Sequence, residues 1–352
     1  MVKVVYFNQW FSSITNVIED LKNKHENSIK IIASSRNENH AYKDVVDVFL
    51  HETWEEVESS EVSMKNYVDF ILNICKEYKV DYFFVKKNAK YIMKRSNEFF
   101  NNGTFLISED YDTLSFMDYK SNVYDTLMET DLEQYVPRYW TFEDEGLAYA
   151  LLQGNKGKND LCLKLNKDEG GASFRSIIDT KPDFNSLYKF RVNTITSDEA
   201  IDLIMREPDK VSRLLFMELL DSPEISIDCY NSKNGFIALC RKKESGRKQV
   251  IYHNEELSNL CEKLGKVLKL RFPFNVQFRV TPGGDSNKIE NLRLLEINPR
   301  MSGGLYYEVF NGMNIAEACL LDMMNRNDEY DIKGFIDFKP KYIGHVEKAV
   351  KL

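Results

Sequence analysis

The sequence predicts a parallel α/β head followed by two α+β lobes. Three observations carry that expectation. Strand and helix alternate through the first 110 or so residues, the rhythm of a parallel sheet with crossover helices. A helix-rich stretch follows, broken by one apolar strand with a lysine at its centre, "LCLKLN". From about residue 212 onward, short strands separated by turn signals read as an antiparallel sheet.

The head opens with the strand "VKVVYF", a helical stretch from Ser12 to Lys24 and a second strand, "SIKIIASS". Tyr67, Phe70, Ile71, Ile74, Cys75 and Tyr78 recur at i, i+3, i+4 and i+7 spacing, which makes one apolar helical stripe. "VDYFFVKK" and "GTFLIS" complete the strands of this region. The turn after the first strand, "FNQWFSSI", lacks G-x-G-x-x-G, so a dinucleotide site of the usual kind is disfavoured.

Residues 110–129 read as helical, and Pro137 in "YVPRYWTF" restarts the chain as an extended segment. A helix from Glu143 into Gln153 ends at "GNKGKND". "LCLKLN" then runs into the glycine-bearing loop "KDEGGASFR", and "SDEAIDLIMREP" is again helical. The strands "SRLLFMELL", "EISIDCYN", "GFIALCRKK" and "KQVIYH" follow. A helix bearing Leu257, Leu260, Cys261, Leu264 and Leu268 separates them from "FNVQFRV" and "NLRLLEIN", which flank the turn "TPGGDSN".

Composition narrows the function classes. Acidic residues outnumber basic ones 55 to 47, for a net charge of −8, which argues against nucleic-acid and anionic-membrane surfaces. No apolar run has spanning length and the N-terminus does not resemble a signal peptide, so a cytoplasmic protein is expected. Six scattered cysteines without C-x-x-C pairing read as reduced core thiols, and five unclustered histidines disfavour zinc.

Four groups of residues have the makings of chemistry. Lys164 must send its ammonium somewhere polar; taken alone, snorkelling from an edge strand is the favoured reading, with a phosphate as the other. The Glu169–Ser173 loop has backbone N–H groups suited to phosphates, although a Gly-Gly pair is usually only a turn. "FMELLDSPEISID" reads either as an ordinary hairpin or as a connector that holds an adenine through its backbone and a ribose through a carboxylate. Finally, Glu296 and Asn298 stand two apart in "LLEINPRMSGGL", so they share one face of a strand while Ile297 turns to the other. Gln277 from the preceding strand adds a third oxygen donor, and a set of this kind suits Mg²⁺ between nucleotide phosphates.

In this order the residues resemble the ATP-grasp superfamily, and most of all its carboxylate–amine ligase branch around the large subunit of carbamoyl phosphate synthase. "LLEINPRMSGG" is the most specific piece, supported by "VQF" upstream, by "MELLDSPEISID", and by "DYKSNVYDTLMETDLEQYVPRY" as the helix that enters the ATP lid. The resemblance implies a pre-ATP-grasp α/β domain over residues 1–110, lid-entry helices and small lobe over 111–212, and a C-terminal lobe with the metal site over 213–352.

It further implies that Lys120 and Lys164 meet the ATP phosphates and that Gly170, Gly171, Ala172 and Ser173 cover them. Met217, Glu218, Leu219 and Leu220 would hold adenine, and Glu224 the ribose. Glu296 and Asn298, helped by Gln277, would hold Mg²⁺, with Mn²⁺ as a substitute. Arg300 would face the transferred phosphoryl group and the substrate carboxylate, with Arg241 pointing into the same cleft.

The implied activity joins a small carboxylate to an amine through an acyl phosphate, with kinase, carboxylate–thiol ligase and non-catalytic nucleotide binder as the alternatives. Gln277 departs from the acid found in many relatives, and "SGG" after Arg300 departs from their serine-rich continuation. One ATP-grasp unit without a glutaminase makes carbamoyl phosphate synthesis by this chain alone improbable. The apolar stretch "LYYEVFNGMNIAEACLLDMM" suits either a core or the face of a homodimer.

Overall fold

The computed structural model describes residues 2–53, 61–168, 171–180, 193–244 and 248–344. In the head, β1 (Lys3–Asn8), α1 (Ile14–His25), β2 (Ile29–Ser35), β3 (Val48–His51), α2 (Glu61–Glu77) and β4 (Tyr82–Phe84) come first. α3 (Ala89–Lys94), α4 (Ser96–Asn101), β5 (Phe105–Ile107) and α5 (Tyr111–Met117) complete it. The strands form a parallel sheet in the order β3-β2-β1-β4-β5. The chain thus starts in the middle of the sheet and builds outward on both sides. β3 is an addition to the sequence expectation, its residues half-buried to exposed at the sheet edge.

α6 (Lys120–Met128), β6 (Tyr139–Trp140), α7 (Glu145–Asn155), β7 (Leu161–Leu165), β8 (Arg175–Ile177), β9 (Thr194–Ile195), α8 (Ser197–Arg206) and β10 (Leu214–Glu218) follow. Asp144 caps α7 by accepting from Leu147 N, and Thr196 with Glu199 closes a capping box on α8. A second sheet runs β6-β10-β7-β8-β9. β10, expected to open the C-terminal lobe, instead pairs with β7, Leu215 opposite Lys164 and Met217 opposite Cys162. The cause is its apolar face, which completes the core of Leu161, Leu163, Ala200, Ile204 and Phe216.

The remaining elements are β11 (Asp221–Ser232), β12 (Gly235–Lys243), β13 (Lys248–Tyr252), α9 (Glu255–Val267), β14 (Phe274–Val280) and β15 (Leu292–Asn298). They are followed by α10 (Tyr306–Val309), α11 (Ile315–Met323), α12 (Lys333–Ile336) and β16 (Lys341–Gly344). The third sheet is ordered β15-β14-β11-β12-β13-β16. Residues of "LYYEVFNGMNIAEACLLDMM", among them Leu305, Tyr307, Met313, Ile315 and Leu320, are buried in this chain's own core.

The chain divides into two compact units, neither contiguous in sequence. The larger comprises Met1–Ser115, Ile225–Gln277 and Ile297–Leu352; the smaller comprises Phe116–Glu224 and Phe278–Glu296. None of the described helices is long and apolar enough to cross a membrane.

Candidate active site

In the smaller unit, β7 alternates as a strand must. Leu161 and Leu163 enter the core, while Cys162 and Lys164 share the other face. Lys164 is only 4% exposed, so it does not snorkel. Among the described residues its Nζ donates one long hydrogen bond, 3.4 Å, to the Leu295 carbonyl. Burial, reinforced by the charge of Lys120, pulls the Lys164 ammonium down to about 8.

Lys120 opens α6 beside it. Its Nζ donates to the Asp168 carbonyl (2.8 Å) and stands 3.9 Å from Glu296 Oε2. Burial lowers its pKa, against the opposing pull of Glu296 and Asp168. Asn166, which the sequence reading passed over, ties the end of β7 to the start of α6. Its Oδ1 accepts from Ser121 N (2.9 Å) and its Nδ2 donates to Ser121 Oγ (2.7 Å). Tyr124 Oη donates to the Leu295 carbonyl (2.7 Å), fixing the strand that carries Glu296. Two buried lysines and one carboxylate therefore converge, held by neighbours that are themselves hydrogen-bonded.

An apolar group adjoins Lys164. Cys162, Met217 and Leu220 pack together with Tyr139, Phe174, Leu219 and Leu295. Burial raises the Cys162 thiol to about 12, so it packs as a small inert hydrophobe. The Glu218 carboxylate accepts from Arg138 N (3.0 Å) and Nε (3.1 Å). Glu218 N donates to the Arg138 carbonyl and Leu219 N to the Asp160 carbonyl. Those two amides are committed within the protein. Glu224 lies half-buried on β11.

Of the glycine loop, Glu169 and Gly170 lie outside the described residues. Gly171 takes a positive φ of 68°, and Ala172 is exposed. Ser173 differs from its expected place over phosphates: its N–H and hydroxyl both donate to Asp168 Oδ2, and its Oγ accepts from Leu165 N (2.8 Å). It staples the base of the loop. Glu296 and Asn298 are half-buried on β15, with Ile297 between them buried. The Gln277 amide nitrogen, in the larger unit, donates to Asn275 Oδ1 (3.1 Å), which commits that end of the side chain. Among the described residues, no three His, Cys, Asp or Glu side chains converge as a metal site of the zinc kind.

Arg241, also in the larger unit, does not point into an open cleft. It is 3% exposed. Its guanidinium donates to Asp228, to Glu308 Oε1 (3.0 Å), to Gln249 Oε1 (3.2 Å), to Ser226 Oγ (3.1 Å) and to Ser302 Oγ (2.8 Å). Burial and then the Asp228 charge hold the Glu308 carboxyl well above its usual range, leaving Arg241 and Asp228 as a neutralised pair. Glycine is required at 304, where a Cβ would sit 2.0 Å from Arg241 Nη1. Arg241 therefore anchors the loop that follows Arg300. Arg300 itself is half-buried, its guanidinium carbon 5.2 Å from the Phe11 ring centre and its Nη1 donating to the Met301 carbonyl (3.0 Å).

Residues 210–343 match a sequence family described as ATP-grasp in the biosynthetic pathway with Ter operon. No curated protein matches the chain in sequence. In fold it is similar to N5-carboxyaminoimidazole synthetase from Staphylococcus aureus, solved with ADP, at a TM-score of 0.63 and 12% identity over 98% of this chain and 82% of that one. It is similar to the biotin carboxylase domain of Hydrogenobacter thermophilus 2-oxoglutarate carboxylase, solved with MgADP and bicarbonate, at a TM-score of 0.66 and 13% identity over 97% and 74%. L-amino acid ligase from Bacillus licheniformis gives a TM-score of 0.62 at 13% identity over 95% and 77%. At these identities the likeness is one of fold. Over nearly the whole chain the fold is that of these solved structures, and residues 210–343 match the ATP-grasp sequence family.

Proposed function

We propose that the protein is an ATP-dependent carboxylate–amine ligase that works through an acyl phosphate and releases ADP and phosphate. The observation that carries the reading is Lys164: a buried ammonium, with Lys120 beside it, whose hydrogen-bond partner among the described residues is one carbonyl at 3.4 Å. Holding such a charge in the fold is costly unless a polyanion joins it, and the phosphates of ATP supply one. The fold relatives solved with ADP support the same assignment.

On this reading Lys120 and Lys164 hold the phosphates, and the apolar group of Met217, Leu220, Phe174 and Leu295 takes the purine. Glu224 binds the ribose. Glu296 and Asn298 fit a hard cation, since they put a carboxylate and a carboxamide on one strand face, with Gln277 as a third oxygen donor. When bound there, Mg²⁺ would supply neutralisation of phosphate charge.

Arg300 orients the substrate carboxylate, one oxygen of which attacks the γ-phosphorus while the bond to ADP breaks. An amine then attacks the acyl carbon, the bond to phosphate breaks with its electron pair, and the amine's proton passes to solvent. Arg300 stabilises the charge that develops at this centre. Arg241 holds the Ser302–Gly304 loop and touches neither reactant.

The test is interception. With ATP, Mg²⁺ and hydroxylamine, a panel of small carboxylates should include one that yields a hydroxamate together with ADP. ADP accompanied by a stable phosphate ester and no hydroxamate would turn the assignment to a kinase, and a thioester formed only with added thiols would turn it to a carboxylate–thiol ligase.

A further inference from the structure

Arg279, half-buried on β14, belongs to the smaller unit together with Lys120 and Lys164. Its Nη1 donates to the Leu220 carbonyl at 3.4 Å, a long bond to a neutral acceptor. Its Nε is buried and, among the described residues, has no hydrogen-bond partner. Among those residues the guanidinium forms no ion pair either. Glu218, the acid whose charge is felt at Cys162, is engaged by Arg138 through that residue's N–H and Nε. A guanidinium cannot shed its proton to escape burial, so a donor left without an acceptor is a standing cost.

Two markers locate this group. One is the Leu220 carbonyl. The other is the Cys162 thiol, where the charges of Lys164 and Arg279 both oppose the burial that raises its pKa. Cys162 and Leu220 pack with Met217, Phe174 and Leu295. Arg279 therefore borders the apolar group assigned above to the purine. A guanidinium is planar and weakly hydrated, so it lies well against an aromatic face, and it offers N–H donors only. A purine supplies both complements, a π face and ring nitrogens that accept. An ammonium in the same place would bring the charge without the flat face or the fork.

We propose that Arg279 binds the base of the nucleotide, its guanidinium lying against the purine and its Nε–H donating to a purine acceptor. The proposal rests on the nucleotide reading of this site, and it adds a base-recognising side chain outside the Met217–Leu220 segment.

Protein carrying isotope-labelled arginine tests it by NMR, the Arg279 Nε–H signal being the one that Arg279→Lys removes. MgADP should shift that signal. Inorganic triphosphate, a phosphate chain without a nucleoside, should leave it in place. Calorimetric titration gives the second measure. Arg279→Met should weaken MgADP binding about tenfold or more at an unchanged melting temperature, and Arg279→Lys should recover little of the loss. The base contact is overturned by a signal that MgADP does not move, or that triphosphate moves equally. Full recovery with lysine, or undiminished MgADP affinity in a folded Arg279→Met protein, overturns it as well. Failure of the wild type to bind MgADP overturns the nucleotide reading itself, whereas MgADP binding that ignores Arg279 overturns this inference alone.

Discussion

Two basic centres, each buried, are handled in opposite ways. Arg241 is surrounded by acceptors, with Asp228, Glu308, Gln249, Ser226 and Ser302 all taking hydrogen bonds from its guanidinium. Lys164 has one long bond to a carbonyl and a second lysine as neighbour, so its pKa falls where that of Arg241 rises. A buried charge surrounded by acceptors is part of the architecture, whereas Lys164 holds its charge at a cost. The contrast separates the two residues more sharply than charge type, because either residue read in sequence is simply a base inside an apolar strand.

The largest effect that tests this contrast is expected from Arg241→Met. It strands Asp228 in the core without its cation and should cost about 3–5 kcal/mol, read as a lower denaturant midpoint. A folded variant with wild-type stability would erase the distinction between the two centres. Gly304→Ala should come next. The added methyl meets the Arg241 guanidinium and, as an overpacked contact, should cost about 1–3 kcal/mol, visible in the same unfolding curves.

Lys164→Met should act with the opposite sign on stability. The folded ammonium lies near 8, below its ordinary 10.5, so the cost of charging it is fully present below about pH 8 and fades as pH rises towards 10.5. At neutral pH the variant should be more stable by roughly 1–3 kcal/mol while its affinity for a non-hydrolysable ATP analogue drops at least about tenfold. Loss of stability with retained nucleotide binding would return Lys164 to the class of Arg241.

The smallest effect is expected from Glu308→Gln. Because the folded carboxyl is held above its ordinary 4.5, the wild type loses stability as pH rises past that value, and the amide does not. The two proteins should melt alike in acid. The variant should hold an advantage of about 1 kcal/mol in mild alkali, and a constant difference across pH would show that Glu308 is ionised in the fold.

Much of the fold was legible because its signals are local. The β1–α1–β2 rhythm, the apolar stripe on α2 and the antiparallel run after residue 212 are periodicities readable within a dozen residues. β3 was missed because its residues are half-buried to exposed and have no strong apolar run. The shared strand face of Glu296 and Asn298 was legible because i, i+2 spacing is itself the geometry. Asn166, Asp168, Tyr139 and Phe174 were not, because their roles exist only once β7 lies beside α6 and β10. Arg241 was expected to point into the cleft, but its partners Glu308 and Ser302, more distant in sequence, hold it in the interior.

The smaller unit is made of Phe116–Glu224 and Phe278–Glu296, so the chain leaves it and returns before the lysine chamber is complete. A fragment ending at Glu224 would carry both lysines but neither Leu295, the carbonyl partner of Lys164, nor Glu296, the acid facing Lys120. The cluster of Lys120, Lys164 and Glu296 therefore cannot be inherited, fused or expressed as a cassette cut from one stretch of gene. Recombination that swaps the larger unit's inserted segment, Ile225–Gln277, must keep both of its ends in register, because Glu296 is delivered by the thread that comes back.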